Sequence, residues 1–282
     1  MKLTLLIFLS LFFLSNISFS QTPQSTKTNS QQPFILGVVE KIQSAELSET
    51  RTLNIYLPEG YSADSAITYP VIYLLDGSAN EDFVHVVGIV QFLTMIETMP
   101  KSIVIGIANA DRRRDFTFPT TIAQDKKDYP TTGSSAKFMA FIENELQPFV
   151  QKKYKTNNIK TIIGQSLGGL FAVEVLLKKP KLFNNYMIVS PSLWWDNESL
   201  LKTSTTALEK QTDSINIYIS VGNEGKIMEG DAKQFYETLH ALGKNNLHVD
   251  FVPLPEENHL SILHNSVYKG FQMLYPKKAS KK

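Results

Sequence analysis

The chain contains no cysteine among its 282 residues. An exported protein without cysteine cannot form disulfide bonds, so its core must supply the stability. Hydrophobic residues make up 43% of the sequence, which is enough for a substantial core. This combination fits a bacterial periplasmic or secreted enzyme better than a small extracellular module.

The chain also lacks an excess of either charge. It has 28 basic and 27 acidic side chains, a formal net charge of +1. Removal of residues 1–20 would remove Lys2 and no acidic residue, which leaves the charge near zero. No strong positive field is therefore available, and neither nucleic acid nor an anionic membrane is predicted as a partner.

Long apolar runs are absent except for one at the start. Leu3–Leu14 is almost wholly apolar, but at about twelve residues it falls short of the roughly 20 that a spanning helix needs. A basic start with Lys2 precedes it, and Ser18 and Ser20 offer small residues for cleavage after residue 20. We therefore predict a cleaved signal peptide and no stable membrane span, with an uncleaved anchor as the alternative. The missing cysteine excludes a lipid-modified N-terminus.

The rest of the chain divides into a polar leader at 21–33, a single domain at 34–276 and a Lys-rich tail at 277–282. Within the domain, strands and helices alternate, and the apolar strands predict a parallel sheet that is covered on both faces. Two antiparallel strands followed by six more predict an eight-stranded, mostly parallel sheet, the α/β-hydrolase fold. The predicted strands are Phe34–Ile42, Arg51–Leu57, Val71–Leu75, Ile103–Ile107, Ile159–Ile163, Tyr186–Val189, Ile215–Val221 and His248–Val252; the predicted helices are Phe83–Glu97, Ala136–Tyr154, Leu170–Leu177, Ala232–Leu242 and Ser261–Leu274, with a long polar loop at Asn109–Ser135.

The segment Gly164–Gly169 reads Gly-Gln-Ser-Leu-Gly-Gly and fits the nucleophile-elbow motif G-x-S-x-G. A β-branched run precedes it and a stretch with helical spacing follows it, which is the setting that this motif needs. The tight turn holds its serine in a strained backbone conformation, so small neighbours are required on both sides. We therefore predict that Ser166 is a nucleophile, with the amides at the start of the next helix facing developing negative charge.

A serine hydroxyl needs a base, and the base needs an orienting carboxylate. In this fold the chain order is serine, then acid, then histidine. His259 lies in the loop between the last strand and the last helix and is the predicted base, with His264 in reserve. Glu224 follows the strand at 215–221 and is the predicted acid, with Asp231 as the second choice.

Two backbone amides should hold the oxyanion. Leu167 follows the nucleophile and supplies one, and Gly77 or Ser78, after the strand at 71–75, supplies the other. Trp194 and Trp195 follow a strand end, where aromatic side chains could line a substrate cleft. No metal or organic cofactor is required for this chemistry.

With these residues placed, the chain resembles the putative-esterase family of α/β-hydrolases over nearly all of the mature sequence. The order of the matching blocks is more specific than any one of them. Within the family the chain is most similar to the branch with the trilactone siderophore esterases of the enterobactin type. The blocks are Tyr-Pro-Val-Ile-Tyr-Leu-Leu-Asp-Gly (69–77), Ile-Gly-Ile-Ala-Asn (105–109), Arg-Arg-Asp-Phe-Thr (113–117), Gly-Gln-Ser-Leu-Gly-Gly (164–169), Ser-Pro-Ser-Leu-Trp-Trp (190–195) and Glu-Asn-His (257–259).

The resemblance implies Ser166 as nucleophile, His259 as base and an acid near Gly222. Many relatives have Gly-x-x-Glu at that point, whereas this chain is one residue shorter. The resemblance also implies that Arg112 to Arg114 line a pocket for an anionic substrate. A solvated loop, in which these arginines pair with Asp111 and Asp115, is the alternative.

These features predict an exported serine esterase that acts through an acyl-enzyme, on a small-molecule or carbohydrate ester. A siderophore trilactone is the preferred substrate, and an acetylated or feruloylated sugar is the alternative. An acyltransferase with the same nucleophile, or a binding module without catalysis, would share the motif. No oligomeric state is predicted.

Overall fold

The computed structural model describes residues 31–276. The predicted signal peptide, most of the predicted leader and the Lys-rich tail lie outside the described residues, and the predicted boundaries at 20, 33 and 276 stay predictions. The compact unit that carries all of the helices and strands given below begins at Leu36. Within residues 31–276, no helix combines the length and the apolar character that crossing a membrane requires.

Eight strands form one sheet in the order β1-β2-β4-β3-β5-β6-β7-β8. β1 pairs antiparallel with β2, and β2 pairs antiparallel with β4, whereas every other neighbouring pair is parallel. The prediction of an eight-stranded, mostly parallel sheet is therefore confirmed. The strands are β1 Val38–Ser44, β2 Glu49–Tyr56, β3 Tyr69–Leu74, β4 Ile103–Ile107, β5 Thr156–Gln165, β6 Asn185–Val189, β7 Ile215–Gly222 and β8 Leu247–Leu254.

Helices follow most of the parallel strands. Continuous apolar sequence in β3, β4 and β6 leaves these strands fully buried, so helices must cover the sheet on both faces. The helices are α1 Phe83–Met95, α2 Arg112–Phe116, α3 Ala123–Asp128, α4 Ser135–Phe141, α5 Gln147–Lys153, α6 Leu167–Lys178, α7 Trp195–Glu198, α8 Thr206–Glu209, α9 Lys226–Ala241 and α10 Ile262–Leu274, with a π-helical turn at Ile142–Leu146 and 3₁₀ turns at Pro180–Leu182 and Ser199–Lys202.

The core lies in two layers, one on each face of the sheet. α1 and α10 contribute Val86, Val90 and Phe271 to one layer. α6 and α9 contribute Phe171 and Phe235, among others, to the other layer. The alternation of strand and helix in the sequence therefore becomes a three-layer arrangement, and the carboxyl ends of the parallel strands share one edge.

The structure differs from the predictions in three helical regions. The predicted loop Asn109–Ser135 contains α2 and α3; α2 forms because the Asp111 carboxylate caps it, accepting a hydrogen bond from the Arg114 amide at 3.0 Å. The predicted helix Ala136–Tyr154 is interrupted by the π-helical turn between α4 and α5. α9 begins at Lys226, six positions before the predicted start, so Asp231 lies inside the helix rather than at its opening.

Candidate active site

The nucleophile elbow joins two central elements, β5 and α6. Ser166 lies between them with φ of 59° and ψ of −119°, a conformation that is strained for a residue with a side chain. The neighbouring glycines are required by close contacts. A Cβ on Gly164 would lie 2.4 Å from the carbonyl oxygen of Gly168, and one on Gly169 would lie 2.9 Å from Cα of Pro191. The turn can therefore form only with the small residues that the sequence provides.

The structure brings Ser166, His259 and Glu224 together. Glu224 lies just beyond the end of β7, and His259 lies in the loop between β8 and α10. Ser166 Oγ is 3.0 Å from His259 Nε2, and His259 Nδ1 is 2.5 Å from Glu224 Oε2. Nucleophile, base and orienting acid are thus within hydrogen-bond reach in the order that acyl transfer needs.

Three donors surround the Glu224 carboxylate. Besides His259 on Oε2, the Ser190 hydroxyl donates to Oε1 at 2.5 Å and the Gly222 amide donates to the same oxygen at 2.9 Å. Burial raises the pKa of this carboxyl, but the hydrogen bonds from His259, Ser190 and Gly222 outweigh it, so the pKa lies below its ordinary value. Glu224 is therefore held as a carboxylate that can orient and stabilise the imidazole.

Neither reserve candidate is hydrogen-bonded to Ser166 or His259. Asp231 is buried on α9, and one of its carboxylate oxygens has no hydrogen-bond partner within residues 31–276. Burial and the nearby charge of Glu198 raise the pKa of Asp231, which would hinder its use as an ionised acid. His264 contacts His85 and not Ser166.

One of the predicted oxyanion donors is already engaged. The Gly77 amide donates to the carbonyl of Ile107 at 3.0 Å, so Gly77 is corrected as an oxyanion donor. The reason is close packing of β3 on β4, since a Cβ on Gly77 would lie 2.4 Å from Cα of Gly106. In the part of the chain that the structure describes, the amides of Leu167 and Ser78 have no such acceptor. Leu167 is the first residue of α6, where amides lack partners inside the helix.

The predicted arginine pocket is not formed as expected. The Arg112 guanidinium donates to both carboxylate oxygens of Asp76, at 2.6 and 3.1 Å, and to the carbonyl of Gln165 at 3.1 Å. Arg114 donates to both carboxylate oxygens of Glu49, at 3.0 and 2.6 Å, and to Asp115 at 2.7 Å. Of the alternative, a solvated loop paired with Asp111 and Asp115, only the Arg114–Asp115 pair is found, because the other partners, Asp76 and Glu49, come from distant segments.

Arg112 also connects the loops around Ser166. Its partner Asp76 begins the segment that carries Ser78, and its third acceptor is the carbonyl just before the nucleophile. The Gln165 side chain in turn donates to the carbonyl of His259 at 2.5 Å. The oxyanion segment, the elbow and the base are therefore linked by one chain of hydrogen bonds.

Sequence reasoning missed two serines near the elbow. Ser190 has a strained φ of 43° and is fully buried where it holds Glu224. The hydroxyl of Ser192 lies 3.2 Å from Ser166 Oγ. A signal was present, because both residues follow β6, the strand next to the elbow strand, at the edge of the sheet where parallel strands place functional side chains.

A cavity of about 420 Å³ opens over Ser166. Trp194 lines it, in agreement with its predicted place in a cleft. Trp195 does not and is corrected here: it is fully buried in the core, and its Nε1 donates to the carbonyl of Phe118 at 3.0 Å. The lining residues are Ser166, Ser192, Trp194, Asn223, Glu224, Met228, Asn258 and His259.

Known proteins resemble this chain over most of its length. Residues 44–255 match the sequence model of the Esterase family, described as "Putative esterase". The ferri-bacillibactin esterase BesA of Bacillus subtilis is 31% identical over 266 residues, which cover 86% of this chain and 91% of that protein. An IroE-like serine hydrolase from Shewanella oneidensis superposes with a TM-score of 0.78 at 32% identity, over 85% of this chain and 80% of that one. The BES protein from Bacillus cereus superposes with a TM-score of 0.77 at 28% identity, over 89% of this chain and 100% of that one.

Proposed function

Because this chain belongs to the putative-esterase family of α/β-hydrolases, we propose that it is a serine esterase whose nucleophile is Ser166. The observation that carries the proposal is the aligned series of Ser166 Oγ, His259 and Glu224, with contacts of 3.0 and 2.5 Å. The cavity over Ser166 and the open amides of Leu167 and Ser78 provide room for an ester and donors for its oxyanion.

The reaction proceeds in two halves. Ser166 Oγ attacks the ester carbonyl while His259 Nε2 takes its proton, and the tetrahedral oxyanion is held by the Leu167 and Ser78 amides. Collapse breaks the bond to the alcohol, which leaves with the proton from His259, and an acyl-enzyme remains. Water, deprotonated by the same imidazole, then releases the carboxylic acid and restores Ser166. Glu224 keeps the imidazole in the required tautomer and stabilises its charged form throughout.

For the substrate we propose a siderophore ester of the trilactone type. The relative from Bacillus subtilis is named for a ferri-bacillibactin substrate, and it aligns with 86% of this chain. We further propose that the protein is exported, on the basis of the signal-peptide pattern in residues 1–20. We propose hydrolysis rather than acyl transfer because the relative from Bacillus subtilis is named as an esterase.

Replacement of the nucleophile tests the mechanism. Ser166→Ala should lower kcat for p-nitrophenyl acetate by about 10⁶-fold, as in other serine hydrolases, with the fold retained by circular dichroism. Ser204→Ala, at an exposed serine outside the cavity, is the matched control and should keep full activity. A folded Ser166→Ala protein that still turns over the ester would contradict the proposal, as would failure of the parent protein to react with a fluorophosphonate probe.

A substrate panel tests the specificity. Ferric trilactone siderophores should be opened with a higher kcat/KM than acetylated or feruloylated oligosaccharides, measured by chromatography of the products. The opposite ranking would assign the protein to the carbohydrate esterases. An added alcohol that captures the acyl group as a new ester, in place of free acid, would identify an acyltransferase.

A further inference from the structure

Two histidines outside the triad lie side by side on one face of the sheet. His85 belongs to α1 and His264 belongs to α10. Their Nδ1 atoms are 3.4 Å apart, and their ring centroids are 5.4 Å apart. Neither residue lines the cavity over Ser166 or takes part in the proposed hydrolysis.

A carboxylate orients one of the two rings. His85 Nε2 lies 3.2 Å from Asp82 Oδ1, at the start of the same helix. With the Nε2 proton directed at Asp82, the lone pair of His85 is on Nδ1, the atom that faces His264. A carboxylate on the far nitrogen is the arrangement that supports metal-binding histidines in proteins.

We propose that His85 and His264 form a binding site for one divalent transition-metal ion of the class that prefers imidazole, such as Zn²⁺, Cu²⁺ or Ni²⁺. Zinc–nitrogen bonds of about 2.0–2.1 Å in tetrahedral geometry place two ligand atoms roughly 3.3 Å apart, close to the separation of the two Nδ1 atoms. No group of three or more potential ligands occurs within residues 31–276, so water completes the coordination shell.

The composition of the chain leaves few competing sites. Cysteine is absent, and the sequence has five histidines in all. His259 is engaged with Ser166 and Glu224, His240 packs on Tyr236, and His248 is exposed on β8.

The site would connect the two loops that carry the proposed chemistry. α1 follows the segment with Ser78, and α10 follows the loop with His259. An ion bound to both helices binds the folded chain and not the unfolded one, so it should raise the melting temperature as its concentration increases. The ion is a structural ligand here, and hydrolysis by Ser166 does not depend on it.

Titration of the full, untagged, metal-free chain with ZnCl₂ in a calorimeter tests the site. We expect one ion per chain, a rise in melting temperature, and loss of both in His85→Gln and in His264→Gln. Asp82→Asn should weaken binding by about 10- to 100-fold, as removal of such a supporting carboxylate does elsewhere. This variant also protects the test against misfolding, because the Asp82 side chain makes no capping hydrogen bond to α1.

His240→Gln is the matched control and should leave the isotherm unchanged, since His240 is an exposed helical histidine. Electron paramagnetic resonance with Cu²⁺ should show nitrogen ligands that disappear in His264→Gln. Absence of binding in the parent protein would overturn the proposal and leave a hydrogen bond between the two rings. Binding that survives in His264→Gln but is lost in His259→Gln would overturn it too, since the ion would then occupy the triad. Neither outcome bears on the esterase proposal, which Ser166→Ala tests separately.

Discussion

Two regions of the molecule are rich in short, charged hydrogen bonds, and they differ in whether a reactive group remains available to a ligand. Around Arg114, the guanidinium and the carboxylates of Glu49 and Asp115 use one another as partners. Around Ser166, the series from Glu224 through His259 ends on a hydroxyl at the cavity. Charged residues in a motif do not by themselves indicate a binding site, because they can be paired with one another, as Arg114 is. The site at Ser166 differs because its hydrogen-bonded series ends on a reactive hydroxyl at the cavity.

In the region around Arg114, a buried ion pair stabilises the fold rather than binding a ligand. Arg51 and Asp115 each have 1% of their side chains exposed and meet at 2.6 Å. Arg114 bridges the same Asp115 to Glu49 on β2. The segment of α2 is thus fixed against the antiparallel edge of the sheet, and charge that would be available to an anionic ligand is neutralised within the protein.

After replacement of Ser166 itself, the largest expected effect comes from removing the negative charge of Glu224, at the start of the catalytic series. Glu224→Gln should lower kcat for p-nitrophenyl acetate by about 10³- to 10⁴-fold, because the amide no longer stabilises the charged imidazole or fixes its tautomer. Asp231→Asn is the matched control and should retain kcat near that of the parent, since Asp231 does not contact His259. Equal losses in the two variants would break the distinction between them.

Next in size is an effect on stability rather than on rate. Asp115→Ala should lower the free energy of unfolding by about 3 kcal/mol, because it leaves the buried Arg51 without its closest partner. Urea denaturation measures this, and kcat of the folded protein should stay unchanged. Asp128→Ala, at an exposed carboxylate on α3, should change stability by less than about 0.5 kcal/mol. A large loss of kcat in a stable Asp115→Ala protein would place this region in the catalytic machinery.

A smaller effect concerns Ser190, which donates to Glu224. Because the pKa of Glu224 lies below its ordinary value, its ionised form stabilises the fold above the usual pKa of a glutamic acid, about 4.3, and this stabilisation is lost as pH falls through the lowered value. Ser190→Ala removes one donor and should raise that pKa, so the stabilisation is smaller and its loss is complete at a higher pH. The measurement is the difference in unfolding free energy between the parent protein and its Glu224→Gln variant, followed from about pH 3 to 7 and repeated with Ser190→Ala in both proteins.

Backbone strain at Ser190 provides the control for that experiment. Its φ of 43° is costly for alanine and easy for glycine, whereas both lack the hydroxyl. Ser190→Gly should therefore be the more stable variant, and the two should share the same shift in the pH dependence. If the pH dependence shifted in Ser190→Ala but not in Ser190→Gly, the shift would be due to backbone strain and not to loss of the hydrogen bond.

The smallest expected effect is at Arg113, which is exposed and lies over the ring of Tyr129 at 4.8 Å. Arg113→Ala should change stability by less than about 0.5 kcal/mol and leave KM for p-nitrophenyl acetate unchanged. With a ferric trilactone, a raised KM would make Arg113 the arginine of this segment that meets an anionic substrate. If KM rose in Arg114→Ala instead, Arg114 would contact the substrate, and the contrast between a structural region at Arg114 and a reactive one at Ser166 would be wrong.

Local sequence patterns were sufficient to predict the sheet and to select the residues that meet at Ser166. The elbow could be predicted because its residues are neighbours in sequence. The backbone lies so close to its glycines that a Cβ would not fit, as the strained turn requires. Glu224 and His259 could be selected because each follows a strand, and parallel strands place such residues at one edge. The fold is confirmed, whereas the roles of these side chains stay predictions until variants are assayed.

The predictions that the structure contradicts were wrong for one physical reason, which is contact between segments that are distant in the chain. Gly77 loses its amide to Ile107 on a neighbouring strand, and Arg114 is paired with Glu49 from β2. Trp194 and Trp195 are adjacent in sequence, but packing separates them into cleft and core. Residue type and spacing do not show which residues of a distant segment will lie next to a given side chain. The partners of Gly77 and Arg114 and the burial of Trp195 could therefore not be predicted.

The separation of the two tryptophans has a spectroscopic consequence. The chain contains only two of them, and one is fully buried while the other lines the cavity over Ser166. Trp195 should report loss of the core and Trp194 occupancy of the cavity, but their ring centroids are 6.1 Å apart, so the parent protein emits as a coupled pair. A Trp194→Phe protein isolates the core signal, and a Trp195→Phe protein isolates the cavity signal, so unlabelled protein can reveal folding and ligand binding.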